Sequence, residues 1–333
     1  NGGNSDLKPD LLWIKNRTAG YASFVVDSNR NISYAQNSSN APYLETDSTA
    51  AENNNQNWMQ SVNTDGFTTG ISEHTNCNSG SAYVAWQWKV NGGTTTSLSN
   101  TGPDSVVQVN SDAKFSIGTY TGNGSNSNVK HGLGETPDML IVKRRTGGTG
   151  SWAVWHKDLT SSYWLRLDTT VAQASGVWDG LDPQSEKFFI TGGSSNVNIS
   201  GADYVFYAWK GVQGYSKFGK YVGNGDSSKN GPFVYLGFKP AFVMIKPATQ
   251  VEEWAIIDTA RNPINQAMKQ LKGNSSGAEY NGASVTNGID ILSNGFKVRT
   301  SRTEINTINA TYIYMAFAEN PFVTSTGTPT TAR

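Results

Sequence analysis

The chain of 333 residues is long enough for two or three hydrophobic cores, since a single core usually stops growing near ~250 residues. Its 26 basic and 26 acidic side chains cancel, so no long-range field favours nucleic acid or an anionic lipid surface. One cysteine, Cys77, excludes an intrachain disulfide, and no apolar run approaches ~18 residues, so we expect a soluble protein without membrane insertion that is stabilised by packing.

The first part of the chain holds four landmarks. A predicted strand runs from Pro9 to Lys15, and a second apolar run covers Phe24 to Asp27. The third landmark, Leu44 to Glu52, has the pattern Leu-x-x-Asp/Asn-Ser/Thr-Ser/Thr-x-Ala-Glu/Gln, and the fourth is an aromatic run, Tyr83 to Lys89. Runs rich in β-branched and aromatic residues, separated by Gly, Asn and Ser, are typical of strands and turns.

The same landmarks recur twice further along the chain. The later copies are Pro137–Lys143, Trp152–His156, Leu165–Gln173 and Tyr204–Lys210, then Pro240–Lys246, Trp254–Asp258, Leu271–Glu279 and Tyr312–Ala318. Copies two and three also share an opening strand and turn, Gly118–Gly124 and Gly219–Gly225, which the first copy lacks. We therefore predict three diverged repeats, 1–112, 113–213 and 214–333, the last with a carboxy-terminal tail. The fold class is all-β, with three tandem β-sandwich-like units in a row or around a pseudo-threefold axis.

Helix signals are few, and one sheet edge lacks a partner strand. The spacing within Pro263–Lys272 allows one short helix or turn, and a capping-box pattern at Thr49–Glu52 and its two equivalents predicts at most one helical turn. The strand missing from copy one leaves an open edge. We expect that edge to be covered by residues upstream of Asn1, by the segment Asn320–Arg333 or by another subunit.

Two carboxylates raise the question of catalysis. Asp27 and Asp258 occupy equivalent positions, and a glycosidase needs two carboxylates ~5–9.5 Å apart. Arg30 and Arg261 lie three residues further on in the same two copies, whereas copy two has His156 at the aspartate position. We favour structural ion pairs over catalysis and predict no enzyme activity.

Metal and cofactor sites are not indicated. His74, His131 and His156 fall in different repeats without a cysteine pair, so we interpret them as surface histidines. The Gly-Asn-Gly turns at Gly122 and Gly223 precede polar loops rather than helices, so they are not phosphate-binding loops. We predict no metal and no cofactor.

Aromatic residues of copy two are the candidate ligand-binding residues. Trp155, Trp164 and Trp178 lie in polar, loop-like sequence, and Asp179 follows the last of them. An exposed tryptophan beside a carboxylate can hold a sugar by stacking and hydrogen bonding. The tryptophans on alternating strand positions are predicted to be core instead: Trp13, Trp86, Trp88 and Trp209.

Several strings of the sequence are family-specific. They are Tyr215–Gly225, Gly231–Lys246, Ser293–Arg299 and Tyr312–Phe322, together with Pro9–Arg17 and His131–Gly134. They resemble a repeated domain in structural proteins of marine tailed bacteriophages. The resemblance implies a virion component, often labelled a tail fibre, and supplies no catalytic or binding residues.

We therefore predict a non-enzymatic protein of the virion surface, a tail fibre or receptor-binding appendage that contacts host cell-surface glycans. Its expected partners are further copies of itself, with a trimer as one option, and other virion proteins. Two alternatives stay open. One is a capsid-decorating or tail-associated structural protein without a ligand, and the other is a glycan depolymerase.

Overall fold

The computed structural model of the protein describes residues 7–30, 41–55, 58–70, 80–281 and 288–320, together with two short strands at 322–323 and 329–330. The fold is all-β with antiparallel pairing, which confirms the predicted class. The described residues include one helix, α1 (Thr303–Asn306), and a single 3-10 turn at Ser28–Arg30. No helix in the described part of the chain has the length and apolar character needed to cross a membrane.

The strands follow one another closely along the chain. The first nine are β1 (Leu11–Asn16), β2 (Phe24–Asp27), β3 (Ala41–Glu45), β4 (Asn53–Asn55), β5 (Met59–Asn63), β6 (Gly66–Thr69), β7 (Tyr83–Trp88), β8 (Thr96–Leu98) and β9 (Ser105–Asn110). The next seven are β10 (Phe115–Thr121), β11 (Ser127–Lys130), β12 (Met139–Arg144), β13 (Ala153–His156), β14 (Leu165–Arg166), β15 (Lys187–Ile190) and β16 (Asp203–Trp209). The last eleven are β17 (Ser216–Val222), β18 (Phe233–Tyr235), β19 (Pro240–Pro247), β20 (Ala255–Asp258), β21 (Lys269–Lys272), β22 (Tyr280–Asn281), β23 (Ile289–Leu292), β24 (Gly295–Val298), β25 (Thr311–Ala318), β26 (Phe322–Val323) and β27 (Pro329–Thr330).

Three large sheets dominate the structure. The first large sheet has the order β4-β3-β2-β1-β7, the second β14-β13-β12-β16-β10-β9-β8, and the third β17-β25-β19-β20-β21-β22. In each of them the strand after the landmark proline pairs with the second apolar run on one side and with the aromatic run on the other. The opening strands β10 and β17 extend the second and third sheets beyond the aromatic strand, whereas within the described residues the first sheet ends at β7.

Each large sheet buries both of its faces. One face packs with the other two large sheets into a single shared core, to which Trp13, Ile141 and Met244 contribute one central side chain each. The opposite face packs on a small sheet, β5–β6, β11–β15 or β18-β24-β23, around a core of its own. Full burial of an aliphatic or aromatic side chain stabilises by roughly 1.5–3 kcal/mol, so the shared core ties the three sheets together strongly. The predicted core positions Trp13, Trp86, Trp88 and Trp209 all lie in it.

The predicted repeat boundaries fall inside this arrangement. β8 and β9 precede residue 112, but β9 pairs with β10 and β8 pairs with β9, so both belong to the second large sheet. The predicted boundary between residues 112 and 113 therefore falls in the turn between two strands of one sheet. The division into 1–112, 113–213 and 214–333 stays a prediction.

The sequence allowed at most one helical turn at each capping-box pattern and a short helix or turn at Pro263–Lys272, and no helix forms at these places. Thr49–Glu52 and its equivalents Thr170–Gln173 and Ser276–Glu279 are non-helical. The reason is that the last residue of each segment donates its backbone N–H to another sheet instead of closing a helical turn. Pro263–Lys272 forms turns that lead into β21, and α1 lies where no helix was predicted.

Candidate functional site

A buried charge network joins the first and second large sheets. Asp27 Oδ2 accepts a 2.6 Å hydrogen bond from Arg30 Nε, and neither side chain is exposed. Arg30 Nη1 donates to Glu52 Oε2 at 2.9 Å, and the same oxygen accepts Nε of Arg145 from the second sheet at 2.9 Å. Tyr207 Oη, also from the second sheet, donates to Asp27 Oδ2 at 2.6 Å. Burial alone would raise the pKa of Glu52, but Arg145 and Arg30 together hold it below its ordinary value.

A second, equivalent network joins the third and first large sheets. Asp258 Oδ2 accepts Arg261 Nε at 2.6 Å and the Trp86 indole N–H of the first sheet at 3.0 Å. Arg261 Nη1 donates to Glu279 Oε2 at 3.0 Å, and Arg17 Nε of the first sheet donates to that oxygen at 2.9 Å. The interpretation of the two aspartates as ion-pair partners of the following arginines is thus confirmed.

The contact between the second and third large sheets is neutral at the equivalent positions. His156 replaces the aspartate, and its Nε2 lies 3.3 Å from Tyr314 O of the third sheet. Leu159 and Ala248 stand at the two arginine positions, and Gln173 replaces the glutamate. Burial lowers the pKa of His156 to about 3, so its imidazole is neutral.

One buried lysine from each large sheet crosses to a neighbouring sheet. Lys15 Nζ donates to Ser276 O at 2.7 Å, Lys143 Nζ to Ser48 O at 3.2 Å, and Lys246 Nζ to Thr170 O at 3.1 Å. Burial lowers the pKa of each of these lysines to about 8. The acceptors are backbone carbonyl oxygens in the third landmark of each copy.

Backbone hydrogen bonds close these contacts into a ring. Glu52 N–H donates to Arg145 O, Gln173 N–H to Ala248 O, and Glu279 N–H to Arg17 O, at 2.8, 2.8 and 2.7 Å. The first sheet therefore contacts the second, the second the third, and the third the first. The charged groups of the landmarks are engaged in holding this ring, and Asp27 and Asp258 lie in different networks within it.

The predicted ligand-binding tryptophans lie inside the structure. Trp155, Trp164 and Trp178 are 5%, 3% and 0% exposed and belong to the core between the second large sheet and β11–β15. Asp179, half-buried, accepts Asn126 Nδ2 at 2.5 Å. The ring faces of these tryptophans are covered by protein, although their sequence context is polar. The ligand-binding role of the four residues stays a prediction, and no ring among them offers an open stacking surface.

The histidines also differ from expectation. His131 and His156 were predicted at the surface, and both are buried. His131 Nε2 lies 2.9 Å from Gln184 O, and its Nδ1 accepts the Leu133 N–H at 3.2 Å, so the ring fills a polar niche between backbone groups. His74 lies outside the described residues. Within the residues that the structure describes, no three His, Cys, Asp or Glu side chains are grouped as metal ligands.

An exposed aromatic pair lies on the small sheet β18-β24-β23. Phe233 and Tyr235 are 47% and 58% exposed, while Val234 between them is buried against the third sheet. Alternate residues of a strand point to opposite faces, so the two rings share the outer face. Across from them in β24 lie Lys297 and Gly295, and the glycine has no side chain to pack against Tyr235 across the strand pair. We refer to Phe233 and Tyr235 with their polar neighbours as the aromatic face.

Cations and amide groups border the aromatic face. Lys217 Nζ lies 5.2 Å from the centre of the Tyr235 ring and donates to Tyr235 O at 2.8 Å. Lys297 Nζ donates to Asn230 Oδ1 at 3.0 Å. An apolar ring with hydrogen-bonding groups at its edge can stack on one face of a sugar and bind its hydroxyls, and it can equally serve as a protein contact.

The fold and these contacts define an all-β protein in which three antiparallel sheets form a ring around one core. The chain belongs to the family of the domain of unknown function DUF7483, whose model matches residues 3–321. No curated protein and no solved structure matches the chain.

Phe233 and Tyr235 were not predicted as binding residues, because the candidates chosen from the sequence were tryptophans in polar segments. The signal was present in Gly231-Pro-Phe-Val-Tyr-Leu-Gly237, where aromatic residues alternate with buried aliphatic ones in a short run. Such alternation marks a half-buried strand, but it leaves open which of the two sets is buried. Here Val234 and Leu236 are the buried set.

Proposed function

We propose that the protein is a non-enzymatic structural component of the surface of a bacteriophage particle, a tail fibre or receptor-binding appendage, and that its aromatic face contacts host cell-surface glycans. The resemblance to phage structural proteins supports the first part. The observation that carries the second is the exposure of Phe233 and Tyr235 on one face beside Lys217 and Lys297.

The site of glycan contact in this proposal differs from the tryptophans of copy two. A sugar stacks on an open ring face, and Trp155, Trp164 and Trp178 have none. On the aromatic face both rings are about half exposed, with Lys217 Nζ beside the Tyr235 ring, and Lys217 and Lys297 supply donors for hydroxyl oxygens. Binding there requires no opening of a core.

A structural role without a ligand is the second candidate. It is favoured by the three buried contacts of the ring, in which charged residues of the landmarks bind neighbouring sheets to each other. The depolymerase alternative gains nothing from Asp27 and Asp258, because each accepts an arginine Nε at 2.6 Å and lies in its own network. If Asp258 is catalytic, Asp258→Asn should abolish activity. If Asp258 is structural, the same substitution should lower stability.

Two measurements test the proposal. Mass spectrometry of purified particles should detect the protein, and its absence from particles would rule out a virion role. A glycan array probed with the protein should give signal that falls about tenfold or more in Phe233→Ser/Tyr235→Ser, because stacking on each ring contributes on the order of 1 kcal/mol.

The matched control lies on the second small sheet. Asn128 and Lys130 flank the buried Val129 in β11 as Phe233 and Tyr235 flank Val234 in β18. Lys130→Ser should bind glycans like the parent protein and melt at the same temperature, whereas Asn128 is kept because its Oδ1 accepts Asn100 Nδ2 at 2.8 Å. Detection in particles with a silent array would favour the ligand-free structural role.

A further inference from the structure

A cleft of about 320 Å³ lies along the outer edge of β7. Trp86 and Trp88 of the first large sheet form one wall, and Phe242 and Phe317 of the third sheet form the other. The turn that follows Asp258 closes one end. Among the residues that the structure describes, no strand pairs with this edge of β7.

In the other two large sheets the corresponding position is filled by a strand. β10 pairs with β16 and packs beside the turn Ser28–Arg30 of the first sheet. β17 pairs with β25, and its Lys220 Nζ lies 3.6 Å from Asp158 Oδ1 in the equivalent turn of the second sheet. The third such turn, which follows Asp258, faces the cleft. The cleft is therefore the one of three equivalent positions in the ring at which the described chain supplies no strand.

Alternate residues of β7 direct their backbone N–H and C=O groups into the cleft, where they can pair with a further strand. Arg17 N–H donates to Ala82 O, and alternate residues of an antiparallel strand direct their N–H and C=O groups to opposite sides. The backbone groups of Ala85 and Gln87 consequently point away from β1, toward the cleft. Main-chain hydrogen bonds to such an edge supply the affinity in strand addition, and side-chain pockets supply the specificity.

The two filled positions define the side chains that fit. Ile117 of β10 and Phe218 of β17 point into the shared core and are 0% and 1% exposed. In both strands the next residue is a glycine, and a tyrosine lies two residues after that glycine. The position equivalent to these apolar residues in the cleft lies opposite Trp86, so an aromatic or aliphatic side chain would be buried there.

We propose that the outer edge of β7 accepts one extended strand from a separate polypeptide, with an apolar residue, a small residue and a tyrosine in the spacing of Ile117, Gly118 and Tyr120. Residues 1–8 contain no tyrosine or other aromatic residue, so they do not match the pattern of Ile117, Gly118 and Tyr120. An open, partly apolar edge of this kind pairs readily with a foreign strand. The partner is a protein that presents such a segment in extended form.

A peptide with the sequence of residues 114–122, Lys-Phe-Ser-Ile-Gly-Thr-Tyr-Thr-Gly, is the probe. It is added to the full chain, and backbone hydrogen exchange is followed by mass spectrometry. We expect saturable binding with slowed exchange in the segment that contains Ala85 and Gln87. Binding without protection of that segment, or no binding, would overturn the proposal.

Methylation of peptide nitrogens supplies a control that leaves the protein unchanged. Gly122 N–H donates to Ala202 O, so the N–H groups of Ser116 and Gly118 face β16 in the parent sheet and would face β7 here. N-methylation of these two should weaken binding about tenfold or more, since each lost hydrogen bond costs ~1 kcal/mol. N-methylation at Thr119, which faces the other way, should leave affinity within about threefold.

Other occupants give different results. If Ala85 and Gln87 are already protected in the free monomer, the chain covers its own edge and the proposal is wrong. A concentration-dependent dimer whose formation protects the same segment would identify a second copy and also overturn it. Ala85→Pro removes one outward N–H without touching the bonds to β1, so it should abolish peptide binding while the thermal midpoint shows that the variant is folded.

Discussion

At the level of single residues, Arg30 and Arg261 place a full positive charge inside the contacts between sheets. Arg30 lies between Asp27 and Glu52 with no exposure of its own side chain. Replacing it by Met leaves two carboxylates in the contact with only Arg145 to neutralise them. We expect Arg30→Met to lower the free energy of unfolding by about 3–5 kcal/mol, measured by urea titration.

The neutral contact of the same ring provides the comparison. Changing the first network to the residues found at the second contact, Asp27→His/Arg30→Leu/Glu52→Gln/Arg145→Ala, removes the charges together. This variant should lose less stability than Arg30→Met, because no buried charge is left unpaired. Lys114→Met, which breaks an exposed pair with Glu135, should change stability by less than ~1 kcal/mol. A loss in Arg30→Met no larger than that would contradict the role of the network.

The buried lysines make stability depend on alkaline pH. The pKa of Lys15, Lys143 and Lys246 is about 8 in the folded chain and 10.5 for an unperturbed lysine. Between these values the unfolded chain binds more protons than the folded one, so the free energy of unfolding rises with pH. Each lysine contributes up to about 1.4 kcal/mol per pH unit, and this stabilisation is lost as pH falls through 8.

Chemical denaturation at pH 7.5, 8.5 and 9.5 measures this slope. Lys246→Met should show a smaller rise than the parent protein, whereas Lys239→Met, at a half-exposed surface lysine, should keep the full rise. Equal slopes in all three proteins would show that these lysines do not release protons in this range. Above pH 10 three buried tyrosines also affect the measurement: Tyr120, Tyr207 and Tyr221. Burial raises the pKa of each, so the free energy of unfolding falls as the pH rises there.

At the level of elements, the strands and the core tryptophans on them could be predicted from the sequence, whereas the burial of residues in loop-like sequence could not. The run Pro137–Lys143 predicts a strand because its apolar residues are continuous, and that continuity also indicates burial on both faces. Trp178 in Gly-Val-Trp-Asp-Gly looks like a loop residue, yet its ring fills the core beneath β15. The local sequence indicates the backbone conformation. Whether a loop packs over a core depends on contacts with residues far away in the chain.

The opening strand β10 has a glycine where another residue could not fit. A Cβ on Gly118 would overlap the Phe206 ring, which lies directly across in β16. We expect Gly118→Ala to lower the thermal midpoint and to destabilise by about 1–3 kcal/mol, the usual cost of overpacking. Gly20→Ala, where the nearest atom to a new Cβ is 3.8 Å away, is the matched control and should be close to neutral.

The same pair of positions allows a rescue. The first sheet has Ala85 where the second has Phe206. Adding Phe206→Ala to Gly118→Ala should therefore recover part of the overpacking cost, although the cavity left by the ring removes some stability of its own. Strict additivity of the two single changes in differential scanning calorimetry would show that ring and strand do not contact each other.

At the level of the whole molecule, the recurring landmarks were visible in the sequence, and the shared core was not. The inner faces of β1, β12 and β19 have the same apolar pattern whether they pack against a neighbouring sheet or within a separate unit. The recurring loop Leu165–Gln173 held the information, because its residues contact another sheet, but nothing local says which one. Three β-sandwiches in a row would have carried the same landmarks.

The shared core leads to a prediction about fragments. Residues 113–213 alone would expose the inner face of the second large sheet, with Trp152, Tyr207 and Trp209 among the side chains uncovered. We expect this fragment to lack a cooperative unfolding transition and to bind a hydrophobic dye, because one of its two cores is lost. The longer fragment 94–213 restores β8 and β9 and should fail in the same way, since those strands extend the sheet and do not cover its inner face.

The intact chain should behave in the opposite way. Because each sheet contributes to one core, the loss of one contact destabilises all three, so calorimetry should show a single transition that Arg30→Met shifts as a whole. A fragment 113–213 that unfolds cooperatively, or an intact chain with separate transitions of which Arg30→Met moves only one, would mean that the sheets are independent domains. In that case the ring of buried lysines and ion pairs would orient finished units instead of completing their cores.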